Sequence, residues 1–145
     1  MQRTYSLDDC SCLRLRKLAR RVTQIYDRAL APSGLSTNQF SLLAHVWYLE
    51  NATVSQLGEQ LVMDPSTVTR NLRPLVEKGW IEMQVSQTDR RQREVHLTDE
   101  GLRVLRSGVP YWQTAQEQLQ EILGDDGTLS LHGTLDHALS RLRPA

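Results

Sequence analysis

Arg90, Arg91 and Arg93 cluster directly after Asp89, and Ser66, Thr67, Thr69, Arg70 and Arg73 crowd a second short stretch of the chain. Guanidinium and hydroxyl groups at these densities suit hydrogen bonding to phosphate oxygens and to the edges of nucleic-acid bases. Two thiols, Cys10 and Cys12, place a nucleophile near the N-terminus. Their Cys-x-Cys spacing differs from the Cys-x-x-Cys of dithiol enzymes, and two thiols alone cannot complete a zinc site. His45, His96, His132 and His137 are scattered, so neither a metal site nor a cofactor is expected. A thiol-dependent enzyme built on Cys12 would need a His or Asp partner at an interpretable spacing. A nucleotide enzyme would need a glycine-rich phosphate loop, and the sequence offers neither. A binding protein that is not an enzyme is expected.

Periodicity shows which elements must hold these residues. From Cys12 to Leu30, the residues Leu15, Leu18, Val22, Ile25 and Ala29 form one apolar helical stripe, with Arg14, Lys17, Arg21 and Arg28 on another side. Pro32-Ser33-Gly34 breaks that helix. Ser36 with Gln39 reads as a capping box for a helix bearing Phe40, Leu43, Ala44 and Trp47 on one face. Asn51-Ala52 is a turn, and Thr53 with Gln56 caps a short helix carrying Leu57 and Leu61. Asp64 as N-cap and Pro65 at the first helical position start a helix that reaches about Lys78 and stops at Gly79. Its inner face is Val68, Leu72 and Leu75. Its outer face is Ser66, Arg70 and Arg73, flanked by Thr67 and Thr69, and Pro74 is expected to bend its last turn.

The period then switches to two. Ile81, Met83 and Val85 predict a half-buried strand, residues 86–93 a polar turn, and Val95 and Leu97 a returning strand around His96. Thr98 caps a long helix striped by Leu102, Leu105, Val109, Trp112, Gln116, Leu119 and Leu123, with a kink expected at Pro110. After a Gly124-Asp125-Asp126-Gly127 loop, a last helix places Leu131, Leu135, Ala138 and Leu142 on one side. A short helix, a tight turn and a helix with an Arg/Ser/Thr outer face make a helix-turn-helix, and the hairpin makes it winged. The fold class is mainly α with a small β-hairpin wing.

The charge map supports this reading against the total. The chain has 17 Lys+Arg and 17 Asp+Glu, and zero net charge alone speaks against a nucleic-acid partner. Residues 1–31, however, carry +4, residues 32–63 carry −2 with no Lys or Arg, residues 64–97 carry +1 and residues 98–145 carry −3. Neutrality is a cancellation between a basic head with a basic loop and an acidic tail. No apolar run approaches the roughly 18 residues of a membrane span, and Met1–Cys12 has no apolar core of a signal peptide. A cytoplasmic protein with no membrane partner is expected.

Three stretches together carry a family resemblance: Asp64-Pro-Ser-Thr-Val-Thr-Arg-Asn-Leu, Leu75-Val-Glu-Lys-Gly-Trp-Ile-Glu, and Asp89-Arg-Arg-Gln-Arg-Glu-Val-His-Leu-Thr-Asp-Glu-Gly101. They resemble the MarR family of bacterial transcription regulators, most specifically in the wing pattern Asp-x-Arg followed by a strand and Leu-Thr-x-x-Gly. The resemblance implies a winged helix-turn-helix over residues 36–98, with dimerisation helices in residues 1–35 and 99–145. It implies that Ser66, Thr67, Thr69 and Arg70 face the major groove of double-stranded DNA, with Arg73 extending that face. Arg91 would enter the minor groove while Asp89 orients neighbouring arginines. A homodimer would read a pseudo-palindromic operator with half-sites about 34–36 Å apart.

The family pattern further implies a repressor released by a small aromatic or phenolic ligand. Trp47, Tyr48, Tyr111 and Trp112 are candidate pocket linings, with core packing as the plainer role for each. Leu7-Asp8, Cys12 and Tyr26 also keep the spacing of the organic-hydroperoxide-sensing branch, where a Cys is oxidised and a Tyr bonds it. The alternative trigger is therefore oxidation of Cys12, with Cys10 beside it, to sulfenic acid at a helix start near Arg14 and Arg16. The bland counterpart is a buried Cys12 at a dimer interface and a frayed Cys10. An internal disulfide is not expected if both residues are helical. A winged helix that has lost DNA binding and serves only protein contacts is the remaining alternative, and the intact Arg70 and Asp89-Arg90-Arg91 argue against it.

Overall fold

The structure, a computed structural model, describes residues 6–143; residues 1–5, part of the stretch read above as having no leader, and residues 144 and 145 lie outside the described residues. Helices α1 (Ser11–Leu30), α2 (Thr37–Leu49), α3 (Val54–Leu61) and α4 (Pro65–Glu77) precede an antiparallel hairpin of β1 (Ile81–Val85) and β2 (Arg93–Leu97). Helices α5 (Asp99–Leu123) and α6 (Asp125–Arg141) follow. Both capping boxes form. Ser36 Oγ accepts the Gln39 N–H at 3.2 Å and Thr53 Oγ1 accepts the Gln56 N–H at 3.1 Å, each glutamine returning its side-chain oxygen to the cap's own N–H.

The chain divides into two units. Leu30–Tyr111 contains α2, α3, α4, the hairpin and the first half of α5. Its core is built from the stripes read in the sequence: Leu43 from α2, Leu57 from α3, Val68, Leu72 and Leu75 from α4, Ile81 and Val95 from the hairpin, all buried. The other unit takes the chain up to Ala29 together with Trp112 onward. Among the described residues of that unit only Ala115 is buried in the single chain. Leu15 and Leu18 of the α1 stripe, Ile122 and Leu123 of α5, and Leu129 and Leu139 of α6 are all exposed.

Several expectations change in detail. Arg93 is the first residue of β2, paired with Val85, rather than part of the turn. Val85 is exposed, because the alternation that buries Ile81 carries the strand outward beyond the core. The four-residue loop at 124–127 reduces to Gly124 alone, whose φ of 74° turns the chain. Asp125 and Asp126 then enter the first turn of α6, where carboxylates are favoured by the helix dipole. Asp64 stands at the N-cap in extended conformation, but its carboxylate accepts no helix N–H. The fixed φ of Pro65 at the first helical position starts α4 instead. Pro74 lies inside α4 and Pro110 inside α5, and neither ends its helix.

The turns on either side of α4 share one geometry with different residues. At its end, Trp80 N–H bonds the Leu75 carbonyl at 3.0 Å and Gly79 N–H the Val76 carbonyl at 2.9 Å, with Gly79 at φ 73°. Before it, Met63 N–H bonds the Gly58 carbonyl at 2.8 Å and Val62 N–H the Glu59 carbonyl at 3.4 Å, with Val62 at φ 54°. Both are Schellman turns, and both need a left-handed residue. A β-branched side chain resists that conformation, and Val62 is 78% exposed and gains no burial in return. Val62→Gly is therefore expected to stabilise the fold by about 1 kcal/mol, raising the thermal midpoint by roughly 2–4 °C. An unchanged or lower midpoint would contradict the strain argument.

Candidate nucleic-acid interface

The spacing of Val68, Leu72 and Leu75, all fully buried, fixes which face of α4 points inward. Ser66, Thr69, Arg70 and Arg73 consequently share the opposite face and are exposed, while Thr67 is half-buried at its margin. No ion pair engages Arg70 or Arg73 among the described residues, so both guanidinium groups keep their full donor capacity. Proline at position 74 has no N–H to bond the Arg70 carbonyl.

Hydrogen bonds reaching back from the tip of the hairpin hold it in shape. Ser86, almost wholly buried, accepts the N–H groups of Thr88 and Asp89 at 3.3 Å each and donates its hydroxyl to Glu94 Oε1 at 3.0 Å. Gln92 closes the turn: its N–H bonds the Asp89 carbonyl and its carbonyl accepts the Ser86 N–H, both at 2.9 Å. Asp89 Oδ1 accepts the backbone N–H of Arg91 at 3.0 Å and lies 3.9 Å from its Nε. Asp89 thus shapes the loop that presents Arg91, whose side chain is 94% exposed. Arg90 and Arg93 are exposed beside it with no ion pair among the described residues.

Sequence reasoning missed the wing's roots. Ser55 Oγ donates to Gln92 Oε1 at 3.1 Å, Ala52 accepts the Val95 N–H at 2.8 Å, and Thr53 bridges Glu94, so the start of α3 braces β2. Ser86-x-Thr88-Asp89 is a recognisable local turn signature, in which a serine hydroxyl bonds N–H groups two and three residues on. The Ser55 and Glu94 contacts had no local signal.

The two N-terminal thiols sit at the mouth of α1. Cys10 is not frayed: it stands just ahead of α1, and its Sγ accepts the Leu13 N–H at 3.4 Å, taking the place of an N-cap oxygen. Cys12, inside the first turn of α1, is exposed in the single chain. Tyr26 bonds neither thiol. Its hydroxyl donates to Gln116 Oε1 of α5, and burial pushes its phenol above the ordinary value, keeping it a neutral donor. Fourteen helical residues separate Cys12 from Tyr26, about 21 Å of rise, so a bond between them within one chain is ruled out.

The four aromatic candidates differ in exposure. Trp47 is 57% exposed and borders an open concavity with Val95 and His96, whereas Tyr48 is 80% exposed. Tyr111 is exposed and Trp112 half-buried, and neither lines that concavity. Among the described residues no group of three or more His, Cys, Asp or Glu side chains could hold a metal ion, and no helix is long and apolar enough to cross a membrane.

Comparison with known proteins gives consistent matches. The MarR family model matches residues 35–92. The organic hydroperoxide resistance transcriptional regulator of Bacillus subtilis is 30% identical over 95 residues, covering 66% of this chain and 65% of the relative. The HTH-type transcriptional regulator TtmR of Methylorubrum extorquens is 30% identical over 96 residues, covering 66% of this chain and 49% of the relative. The matches thus span less than two thirds of the length of these two curated relatives. The solved structure of the M. tuberculosis transcriptional regulator MOSR in complex with DNA superposes with a TM-score of 0.80 at 32% identity, covering 94% of this chain and all of that one.

Proposed function

The chain belongs to the MarR family, and from that premise we propose that it is a homodimeric transcriptional repressor that occupies a pseudo-palindromic DNA operator. The observation that carries this reading is the pairing of an open Ser66/Thr69/Arg70/Arg73 face on α4 with a braced wing presenting Arg91. A helix of this width enters the major groove, and a lone projecting arginine suits the narrow minor groove of A·T tracts. The solved relative at 32% identity is bound to DNA, which supports the same assignment here. The exposed leucines of α1, α5 and α6 support a homodimer, since apolar helix stripes left open in one chain are covered at low cost by a second copy. Selection of bound duplexes from a random pool tests both parts. It should return inverted half-sites about one helical turn apart. An asymmetric consensus, or none, would overturn the reading.

Release by a small aromatic or phenolic ligand is one trigger for such a repressor. Oxidation is the second, and a specific observation favours it: Cys12 is exposed at the start of α1, and the hydroperoxide-resistance regulator is among the relatives at 30% identity. In that reaction the Cys12 thiolate attacks the distal oxygen of a hydroperoxide, and an S–O bond forms as the O–O bond breaks. The sulfur is oxidised to sulfenic acid, and the departing alkoxide takes up the proton the thiol had released to leave as the alcohol. Any Tyr26 that bonds the oxidised sulfur comes from the second copy, given the separation along α1. Cumene hydroperoxide is expected to release the operator from wild type but not from Cys12→Ser, while salicylate acts equally on both. Release at the same peroxide dose in both proteins would remove Cys12 as the switch.

A further inference from the structure

We propose that the concavity between the end of α2 and strand β2 is a binding site for a small organic cation with an apolar body, and that the wing feels its occupancy. The hollow measures about 270 Å³, with Val46, Val95 and Leu97 among its apolar lining and Trp47, Glu50 and His96 among the rest. It lies wholly within the unit that carries α4 and the hairpin. The indole of Trp47 is largely open to solvent, although it is the biggest apolar surface in the lining. Glu50 has no ion-pair partner among the described residues. No Lys or Arg lines the hollow, and none occurs anywhere between residues 32 and 63.

These features select the sign of the ligand. An aromatic face attracts a cation through its quadrupole, and a nearby unpaired carboxylate adds a second attraction that an anion would meet as repulsion. The open faces of Trp47 and Leu97 accept an apolar body behind the charged head, with Val46 and Val95 buried beneath them. Lys78, seated 4.5 Å from the ring centroid of Trp80, shows the chain making such a contact with its own cation, whereas Trp47 has no cation over it among the described residues.

The hollow also connects to the wing through hydrogen bonds already described. His96 Nε2 lies 3.3 Å from Glu94 Oε2, and the other oxygen of Glu94 receives the Ser86 hydroxyl that organises Thr88 and Asp89. A cation lodged against His96 competes with its ring for Glu94 and so loosens the hold of Glu94 on Ser86. Binding stands on the hollow alone. Coupling rests on the reading of the wing as a DNA contact.

Benzyltrimethylammonium is a suitable probe for the full-length protein, with benzoate and benzyl alcohol as its anionic and neutral counterparts. Saturable quenching of tryptophan fluorescence is expected with the cation, absent in Trp47→Leu and shifted to roughly tenfold higher concentration in Glu50→Gln. Equal binding of benzoate, or an unchanged midpoint in Glu50→Gln, would overturn the cation site. At saturation the cation should weaken operator binding by roughly threefold or more. Unaltered operator affinity at saturation would overturn the coupling. Failure to bind any duplex with or without the cation would instead overturn the function proposed above.

Discussion

Gly101→Ala is expected to destabilise the fold by about 3 kcal/mol or more, lowering the thermal midpoint by roughly 10 °C. Thr98 and Gly101 fasten the start of α5 to the end of α4. The Thr98 N–H bonds the Trp80 carbonyl at 3.1 Å, and its hydroxyl donates to the Gly79 carbonyl at 2.6 Å while accepting the Gly101 N–H at 3.0 Å. This seats the first turn of α5 directly on the backbone of Trp80. A Cβ built on Gly101 would stand 2.8 Å from the Trp80 carbonyl carbon and closer still to its oxygen. Backbone atoms on both sides leave no flexible side chain to yield, so α5 must shift and the Thr98 bonds must lengthen.

The sign of the effect makes the prediction discriminating. In an unobstructed helix, alanine is better than glycine by about 1 kcal/mol. Gly133, inside α6 with nothing within 4 Å of its virtual Cβ, supplies that control in the same molecule. Gly133→Ala should raise the midpoint and Gly101→Ala should lower it. A rise in both would show that α5 does not seat on Trp80. The Leu-Thr-x-x-Gly pattern thus has a physical reading here: the threonine clips the wing's exit to the end of α4, and the glycine admits the close approach.

What was legible in the sequence was local. Capping boxes at Ser36 and Thr53, the inward stripe of α4 and the Asp89–Arg91 pairing all act over two to four residues, and each appears in the structure. What escaped were contacts set by tertiary packing. Ser55 meets Gln92 across 37 positions and Tyr26 meets Gln116 across 90, distances over which no periodicity carries information. The loop at 124–127 was overdrawn because Gly and Asp signal turns equally with helix starts, and only the backbone shows that one residue suffices.

Arg91→Ala should weaken operator binding by about 1–3 kcal/mol, and Arg70→Ala by a similar amount, yet the two losses should differ in kind. Arg70 sits on the exposed face of α4. If that face enters the major groove as proposed, its guanidinium can bond two acceptors of one guanine, and its loss should relax preference at a single position in each half-site. Arg91 stands at the tip of a loop whose backbone is held by Asp89 and Ser86, so it arrives ordered, and only its own side chain is left to be fixed on binding. Its loss should erase any A·T preference at the outer edges of the site and reduce the dependence of binding on salt by about one phosphate equivalent per half-site. Zero net charge sharpens both expectations. A strongly basic protein retains non-specific attraction after losing one arginine, but here the acidic C-terminal helices offset the basic head, and few placed cations remain. Binding titrations of both variants at two salt concentrations decide the matter, and wild-type affinity in Arg91→Ala would remove the wing from the interface. If Asp89 acts by shaping the loop, Asp89→Ala should reproduce much of the Arg91 loss without changing the number of cations. That outcome would separate the ordering of the arginine from its charge.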